Sequence, residues 1–389
     1  MSLEFRAPTE SDLDAVADIR VRSFGPMSDP ETARFRVANL ELLDQDRLFG
    51  VFDGATLAGC GKARGFEQVW HGRSVPMAGM AGVTILPEYR GRGVGTVLMR
   101  GLAERSVARG EPISALFPAT VPIYRQLGWE LVGGYHRYAL PAAQLRNLGG
   151  GSTRPVRAAT ADVDRLMAIC ADVLGNERRS GPLLWSRQGW ERRLADRDEF
   201  VYLLDDGVVV YGWDGRGADL RVDLLLARSE ETLRRLWSLV GSGSSIARTV
   251  MAYLSPDDPV FWLLPEESGR EVITHGWMLR ILDVPGALTA RGYSRALEAS
   301  LVVQVDDAER PDNAGGWRLE VAGGRCHVER VTGDASTAVH LAARGLAALY
   351  AGRPMTGLRQ AGLATGDERQ DEGADAIFAT SVPHLTDYF

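Results

Sequence analysis

The run Ala81-Gly82-Val83-Thr84-Ile85-Leu86-Pro87-Glu88-Tyr89-Arg90-Gly91-Arg92-Gly93-Val94-Gly95-Thr96 passes from a β-branched strand, through an arginine- and glycine-rich loop, into the start of a helix. Glycines at Gly91, Gly93 and Gly95 let the backbone come close to a ligand, and free N–H groups at a helix start form a cradle for a pyrophosphate. Arg90 and Arg92 either add charge to that cradle or face solvent. The spacing is neither GxxxxGK[ST] nor GxGxxG, which argues against nucleoside triphosphate and dinucleotide sites.

Outward from this run, residues 48–61 alternate apolar stretches around Asp53-Gly54, a hairpin signal. Residues 77–86 read as a strand and Val94–Ala108 as an amphipathic helix stopped by Gly110. A strand at 113–117, a short helix at 123–127 and a last hairpin through Gly133-Gly134 follow. Strand and helix alternation after an antiparallel start gives a mixed α/β sheet.

The linker-like Gly149-Gly150-Gly151-Ser152 divides a first unit, 1–148, from a second, 153–284, and a third, 285–389. The first two open alike. Phe5-Arg6-Ala7-Pro8-Thr9 precedes Asp12-Leu13-Asp14, and Val156-Arg157-Ala158-Ala159-Thr160 precedes Asp162-Val163-Asp164. Each reads as a strand followed by a helix capped by Thr and Asp, hence a duplicated domain. The second copy has no glycine loop: its strand through Asp219–Ala227 runs into Arg228-Ser229-Glu230-Glu231, whose acids repel a pyrophosphate, so its role reads as structural. In the third unit, alternation at 301–305, 317–321, 326–328 and 339–341 reads as strands, with helices at 346–351 and 371–379.

The 389 residues, 45% hydrophobic and 24% charged, have ordinary globular composition for two or three domains. No apolar run is long enough for a bilayer helix, the N-terminus has no signal pattern, and a cytoplasmic location is expected. Three scattered cysteines and six histidines without ligand spacing predict neither a disulfide framework nor a metal site. The net charge of −7 without a basic stripe argues against nucleic acid and suits a cationic partner. Lys62 is the chain's single lysine, a skew read as codon bias.

Arg90-x-x-Gly93-x-Gly95 after a strand resembles the acetyl-CoA-binding motif of the GNAT superfamily of N-acetyltransferases. Pro122-Ile123-Tyr124-Arg125-Gln126-Leu127-Gly128-Trp129-Glu130 resembles that superfamily's later helix. The resemblance implies acetyl-CoA as acyl donor, without a metal. Main-chain groups of Val83, Thr84 and Ile85 would meet the pantetheine arm, and Arg90, Gly91, Arg92, Gly93, Val94, Gly95 and Thr96 would meet the pyrophosphate. Ala119 and Thr120 would lie beside the donor. Tyr124 would be the general acid or a ring packed on the donor.

A GNAT fold, a degenerate second GNAT fold and a segment resembling the α+β sterol-carrier-protein fold, in that order, resemble the Eis (enhanced intracellular survival) family. The junction Trp277-Met278-Leu279-Arg280-Ile281-Leu282-Asp283-Val284-Pro285-Gly286-Ala287-Leu288-Thr289-Ala290-Arg291-Gly292-Tyr293 carries the same likeness. This resemblance implies a homo-oligomer, a hexamer, acetylating primary amines of cationic small molecules of aminoglycoside type or lysine side chains. It implies that the terminal α-carboxylate of Phe389 is the general base. Phe24, Asp29, Glu31 and Phe35 fall where the family lines its amine pocket. Two other expectations remain at this point: a protein lysine or N-terminal amine acetyltransferase, and a non-catalytic acyl-CoA- or lipid-binding scaffold.

Overall fold

The computed structural model of the chain describes residues 2–149, 152–215, 219–266, 269–331 and 337–389. The first unit holds β1 (Leu3–Arg6), α1 (Leu13–Phe24), α2 (Asp29–Asp44), β2 (Leu48–Asp53), β3 (Thr56–Trp70), β4 (Arg73–Ile85), α3 (Val94–Ala108), β5 (Ile113–Leu116), α4 (Pro122–Gln126), β6 (Glu130–Pro141) and α5 (Ala142–Arg146). The second holds β7 (Val156–Arg157), α6 (Val163–Asn176), β8 (Leu183–Leu184), α7 (Arg187–Ala195), β9 (Glu199–Leu204), β10 (Gly207–Asp214), β11 (Asp219–Ala227), α8 (Glu230–Gly241), β12 (Thr249–Tyr253), α9 (Val260–Leu263) and β13 (Arg270–Ile281). The third holds α10 (Val284–Ala290), β14 (Ala299–Asp306), β15 (Gly315–Ala322), β16 (Arg325–Val331), β17 (Val339–Ala342), α11 (Ala343–Tyr350), α12 (Met355–Gln360), β18 (Ala364–Gly366) and α13 (Asp371–Phe378).

The duplicated openings fold alike. The Asp12 carboxylate accepts from the Thr9 amide at 2.8 Å, and Asp162 accepts from the Ala159 amide at 2.8 Å. Each closes a short 3₁₀ turn ahead of α1 or α6. Ala159 has no side-chain acceptor to return the bond, so the second copy has only the aspartate half of the expected Thr–Asp cap.

The first two units share one 13-stranded sheet with the order β1-β2-β3-β4-β5-β13-β6-β12-β11-β10-β9-β7, β8 pairing with β3 off this path. Strand β13 enters between β5 and β6 and pairs antiparallel with both, Met278 opposite Leu116 on one side and Leu131 on the other. The far half of β6 pairs with β12, Thr249 opposite Pro141. The two units therefore exchange strands across a common seam. Residues 130–141 form one unbroken strand, so the hairpin expected at Gly133-Gly134 is absent; a glycine pair signals a turn locally, but here it serves a close approach described below.

Alternation along β13 sends Trp277, Leu279 and Ile281 into one core and Met278 into another. The first core continues into the third unit, whose five-stranded sheet has the order β16-β15-β14-β17-β18. Trp70 of β3, Trp277 of β13 and Tyr350 of α11, one from each unit, are fully buried. Their rings meet edge-on, with Trp70 centroids 6.2 Å from Trp277 and 4.8 Å from Tyr350. Helix α3 covers the second core with Val94, Leu98, Met99 and Leu102, the 3.6-residue spacing of one helix face.

A buried ion pair closes the same seam. Arg280 of β13 donates through Nη2 to both Asp307 oxygens at 2.7 Å, through Nε to the Leu127 carbonyl at 3.1 Å and through Nη1 to the Ile281 carbonyl at 3.0 Å. Asn313 donates to Asp307 at 3.1 Å, and the Val284 amide donates to Asn313. Removing one partner strands a buried charge, which costs about 3–5 kcal/mol. Asp307→Ala is expected to lower stability by that amount in urea denaturation, while replacing Arg280 and Asp307 together with apolar residues recovers most of it.

Candidate active site

Strands β4 and β5 run parallel only from Met77 opposite Ile113 to Gly79 opposite Ala115. Beyond that point they part, which leaves the main chain of β4 from Met80 to Ile85 without a neighbour on the β5 side. On its other side β4 has a register shift against β3: Cys60 faces Thr84, but Lys62 faces Ala81. The one extra residue makes a β-bulge at Gly82-Val83, and Gly82 takes φ +58°, a left-handed conformation that suits glycine. Val83, Thr84 and Ile85 thus border a cleft where the two strands part. Thr84 turns its hydroxyl into the protein, 3.2 Å from the Cys60 thiol.

At the end of this stretch, Pro87–Tyr89 forms one 3₁₀ turn and Gly93 caps α3 at φ +81°, with nothing near the place of a Cβ. The first intrahelical bond runs from the Val97 amide to the Gly93 carbonyl at 3.1 Å. The amides of Val94, Gly95 and Thr96 lie ahead of it with no helical acceptor. No side chain caps this helix and its first turn holds no acid. Arg90 and Arg92 are exposed, Arg92 lying 5.9 Å from the Tyr89 ring centre. Gly95 comes close to α4, since a Cβ there would sit 3.1 Å from Ile123.

Helix α8 is the second unit's counterpart of α3, and it differs at each of these points. Ser229 caps it by accepting from the Thr232 amide, and Glu230 and Glu231 fill its first turn. Its free amides are partly satisfied from within, and its charge has the wrong sign for an anion.

Ala119 and Thr120 lie exposed on the loop after β5, opposite the β4 wall. Tyr124 on α4 is buried in the core that α3 covers. Its hydroxyl has no hydrogen-bond partner among the described residues, and burial pushes its pKa up, so it keeps its proton at neutral pH.

Phe389 sits where β4 and β5 part. Its ring packs on Phe66 and Phe117, centroids 4.9 and 5.5 Å away, and a Cβ on Gly79 would lie 2.8 Å from its ring carbons. The preceding residues tie the chain end down. The Leu385 amide donates to the Gly134 carbonyl at 3.0 Å, and the His384 amide to Ser180 at 3.1 Å. Trp185 Nε1 donates to Asp387 at 2.9 Å, with Arg193 Nη2 3.3 Å from the same oxygen. Tyr388 stacks on Phe117 at 4.3 Å. A Cβ on Gly133 would collide with the Pro383 carbonyl and with the Trp277 indole, so this glycine admits the tail beside the seam tryptophan, whereas a Cβ on Gly134 would meet the His136 ring.

The residues expected to line the amine pocket do not all meet. Phe24 is 55% exposed at the end of α1, and Asp29 is exposed at the start of α2. Glu31 accepts from the amide and hydroxyl of Ser28 at 2.8 and 2.7 Å, bonds that hold its carboxyl below the usual range. Phe35 alone turns toward the sheet, where the Lys62 ammonium stands 4.8 Å from its ring centre. Burial lowers the Lys62 pKa to about 8. Sequence reasoning missed Lys62, Phe66, Gly79 and Phe117. Only the lysine's isolation in an arginine-rich chain marked it; the others carry no local signal.

This cleft, with its bulged strand and uncapped glycine-led helix, is matched by what the chain is similar to. Profiles described as acetyltransferase (GNAT) domain match residues 4–132 and 181–281, and one described as sterol carrier protein domain matches residues 284–386. A crystal structure of a GCN5-related N-acetyltransferase from Kribbella flavida is 43% identical, with a TM-score of 0.95, over 100% of this chain and 98% of that one. The chain belongs to the GCN5-related N-acetyltransferases and is an N-acetyltransferase of tandem GNAT and sterol-carrier-like architecture.

The likeness to the Eis family extends over its full length. N-acetyltransferase Eis of Mycobacterium tuberculosis is 28% identical over 99% of both chains. Eis1 from Mycobacterium abscessus shares the fold, with a TM-score of 0.75 at 23% identity over 100% of both chains.

Gly133→Val is expected to displace the tail, and because its Cβ would also meet the buried Trp277 indole the variant is compared under conditions where circular dichroism shows the sheet intact. Timed carboxypeptidase digestion should release Phe389 at least about tenfold faster than from the parent chain, in line with loss of one or two tail hydrogen bonds.

Proposed function

We propose that the chain transfers acetyl from acetyl-CoA directly to a primary amine of a cationic acceptor, an aminoglycoside-type small molecule or a lysine side chain. The donor supplies an acetyl group activated as a thioester. The cleft suits it in three respects: unpaired main chain along Val83–Ile85, unsatisfied amides of Val94, Gly95 and Thr96, and bare Gly91 and Gly93. Arg90 and Arg92 add favourable charge for a pyrophosphate, and Ala119 and Thr120 offer an unobstructed opposite wall. The filled cap of α8 supports one donor site per chain.

In this reading the Phe389 α-carboxylate takes a proton from the acceptor ammonium, which frees the amine lone pair. Tyr124 holds its proton at Oη and gives it to the departing thiolate. The observation that carries the reading is the Phe389 ring against Gly79, at the parting of β4 and β5. Of the four residues expected at the acceptor wall, Phe35 faces the sheet and forms its inner edge, while Phe24, Asp29 and Glu31 lie farther out on α1 and α2. A homo-oligomer, hexameric as in the Eis resemblance, is supported by exposed apolar Trp262, Val272 and Ile273 on the second unit.

Steady-state kinetics and calorimetry test the roles separately. Tyr124→Phe is expected to lower kcat by about 10²–10⁴-fold, the scale of lost acid–base help, with acetyl-CoA affinity kept. A short C-terminal extension is expected to lower kcat on a similar scale, whereas an N-terminal extension of equal length leaves it unchanged. Normal turnover in the C-terminally extended protein rules out the terminal carboxylate as base.

A further inference from the structure

The single lysine stands at an unusual place. Lys62 lies on β3 directly behind the β4 bulge, its Cε 3.5 Å and its Nζ 3.8 Å from where a Gly82 Cβ would be. A side chain at Gly82 would contact the lysine stem; the glycine leaves the amine open to the bulge. On the other side Phe35 of α2 faces the ammonium at 4.8 Å. Among the described residues no carboxylate lies within ion-pair distance of Nζ. The ionisable groups that act on it are Cys60 and Arg64 of β3 and Arg20 of α1, and burial outweighs them. The Cys60 thiol is itself pushed up by burial and stays neutral. An amine without a counter-ion, half-buried among cations and an aromatic ring, is poised to lose its proton near neutral pH.

Its position matters under the donor arrangement proposed above, on which this inference rests. A pyrophosphate at Val94–Thr96 and a pantetheine arm along Ile85, Thr84 and Val83 direct the thioester end toward the next residue, Gly82. We infer that Lys62 is itself an acetyl acceptor, so that the chain acetylates its own single lysine at the inner end of the cleft. The neutral Nζ attacks the thioester carbonyl carbon; the new N–C bond forms as the C–S bond breaks. The sulfur leaves with the electron pair, and the proton released from Nζ balances it as free thiol. The product is an amide that removes the one lysine cation beside Phe35 and lengthens the side chain that borders the acceptor wall. Nothing beyond acetyl-CoA is consumed.

The chain's composition makes the test clean. Full-length protein is incubated with acetyl-CoA at pH 8, digested with trypsin and analysed by mass spectrometry. Acetylated Lys62 resists cleavage, so the modified peptide runs from Leu48 to Arg64 and carries one acetyl group. Labelling is expected to approach one acetyl per chain at Lys62. It should be suppressed by excess desulfo-CoA, and at least about tenfold slower in protein unfolded by urea. Lys62→Arg should lose the label while calorimetry still detects acetyl-CoA binding. Without acetyl-CoA, an N-hydroxysuccinimidyl acetate reagent should modify Lys62, and CoA should protect it.

Protein that binds acetyl-CoA by calorimetry but leaves Lys62 unmodified overturns the inference alone. Equal labelling of folded and urea-unfolded chains also overturns it, since the cleft then contributes nothing. Protein that binds no acetyl-CoA overturns the donor reading and this inference together.

Discussion

The insertion of β13 between β5 and β6 is the constraint on which the rest of the molecule depends. Its main chain pairs on both sides, so the first unit's sheet is complete only when the second unit contributes a strand. Its side chains fasten three layers. Trp277 meets Trp70, Met278 joins the core under α3, and Arg280 reaches both the carbonyl that ends α4 and the Asp307 carboxylate of the third unit. Buried hydrogen-bonding groups left without these partners would each cost about 1–3 kcal/mol, more where charged. The units are therefore interdependent parts of one folded body, linked by far more than the glycine-rich connector.

That interdependence explains how a chain end arrives at a cleft formed mostly from the first unit. With the third unit packed against the strand seam, its last residues cross β6 at Gly133-Gly134 and pass the second unit at Ser180, Trp185 and Arg193. They end against Gly79. The tail is an added segment laid over both units, and Phe389 fills space that two diverging strands leave open. A larger residue at Gly133 or Gly79 would meet the tail directly, with no change in charge.

The two GNAT units show how the same framework is used differently. Both open with an aspartate-closed turn, and both have a parallel strand pair that parts before a helix. In the first, the helix start is bare and led by glycine. In the second, Ser229 and two glutamates occupy it. An anion site needs unsatisfied amides and a positive local field, and only the first retains both. Conversely, the cationic character around Lys62 gives the inner cleft a sign that the chain's overall charge of −7 does not suggest.

What the sequence determined by itself was whatever short-range chemistry encodes. The strand, loop and helix start in residues 81–96 are set by neighbouring residues, because β-branching, glycine φ and helix-end amides all act within a few positions. The strand–cap–helix repeat and the alternating strands of the third unit were legible for the same reason. The glycine pair of β6 was legible as glycine but not in its use, since a turn and a close approach require the same missing Cβ. Phe66, Gly79 and Phe117 were silent because each matters only through a ring from the distant chain end. Tertiary structure alone decided that β13 lies between β5 and β6, that Phe389 meets Gly79, and that Lys62 faces the bulge. Those contacts join residues far apart in the chain, and their energies come from burial and pairing across the seam, which no local pattern contains.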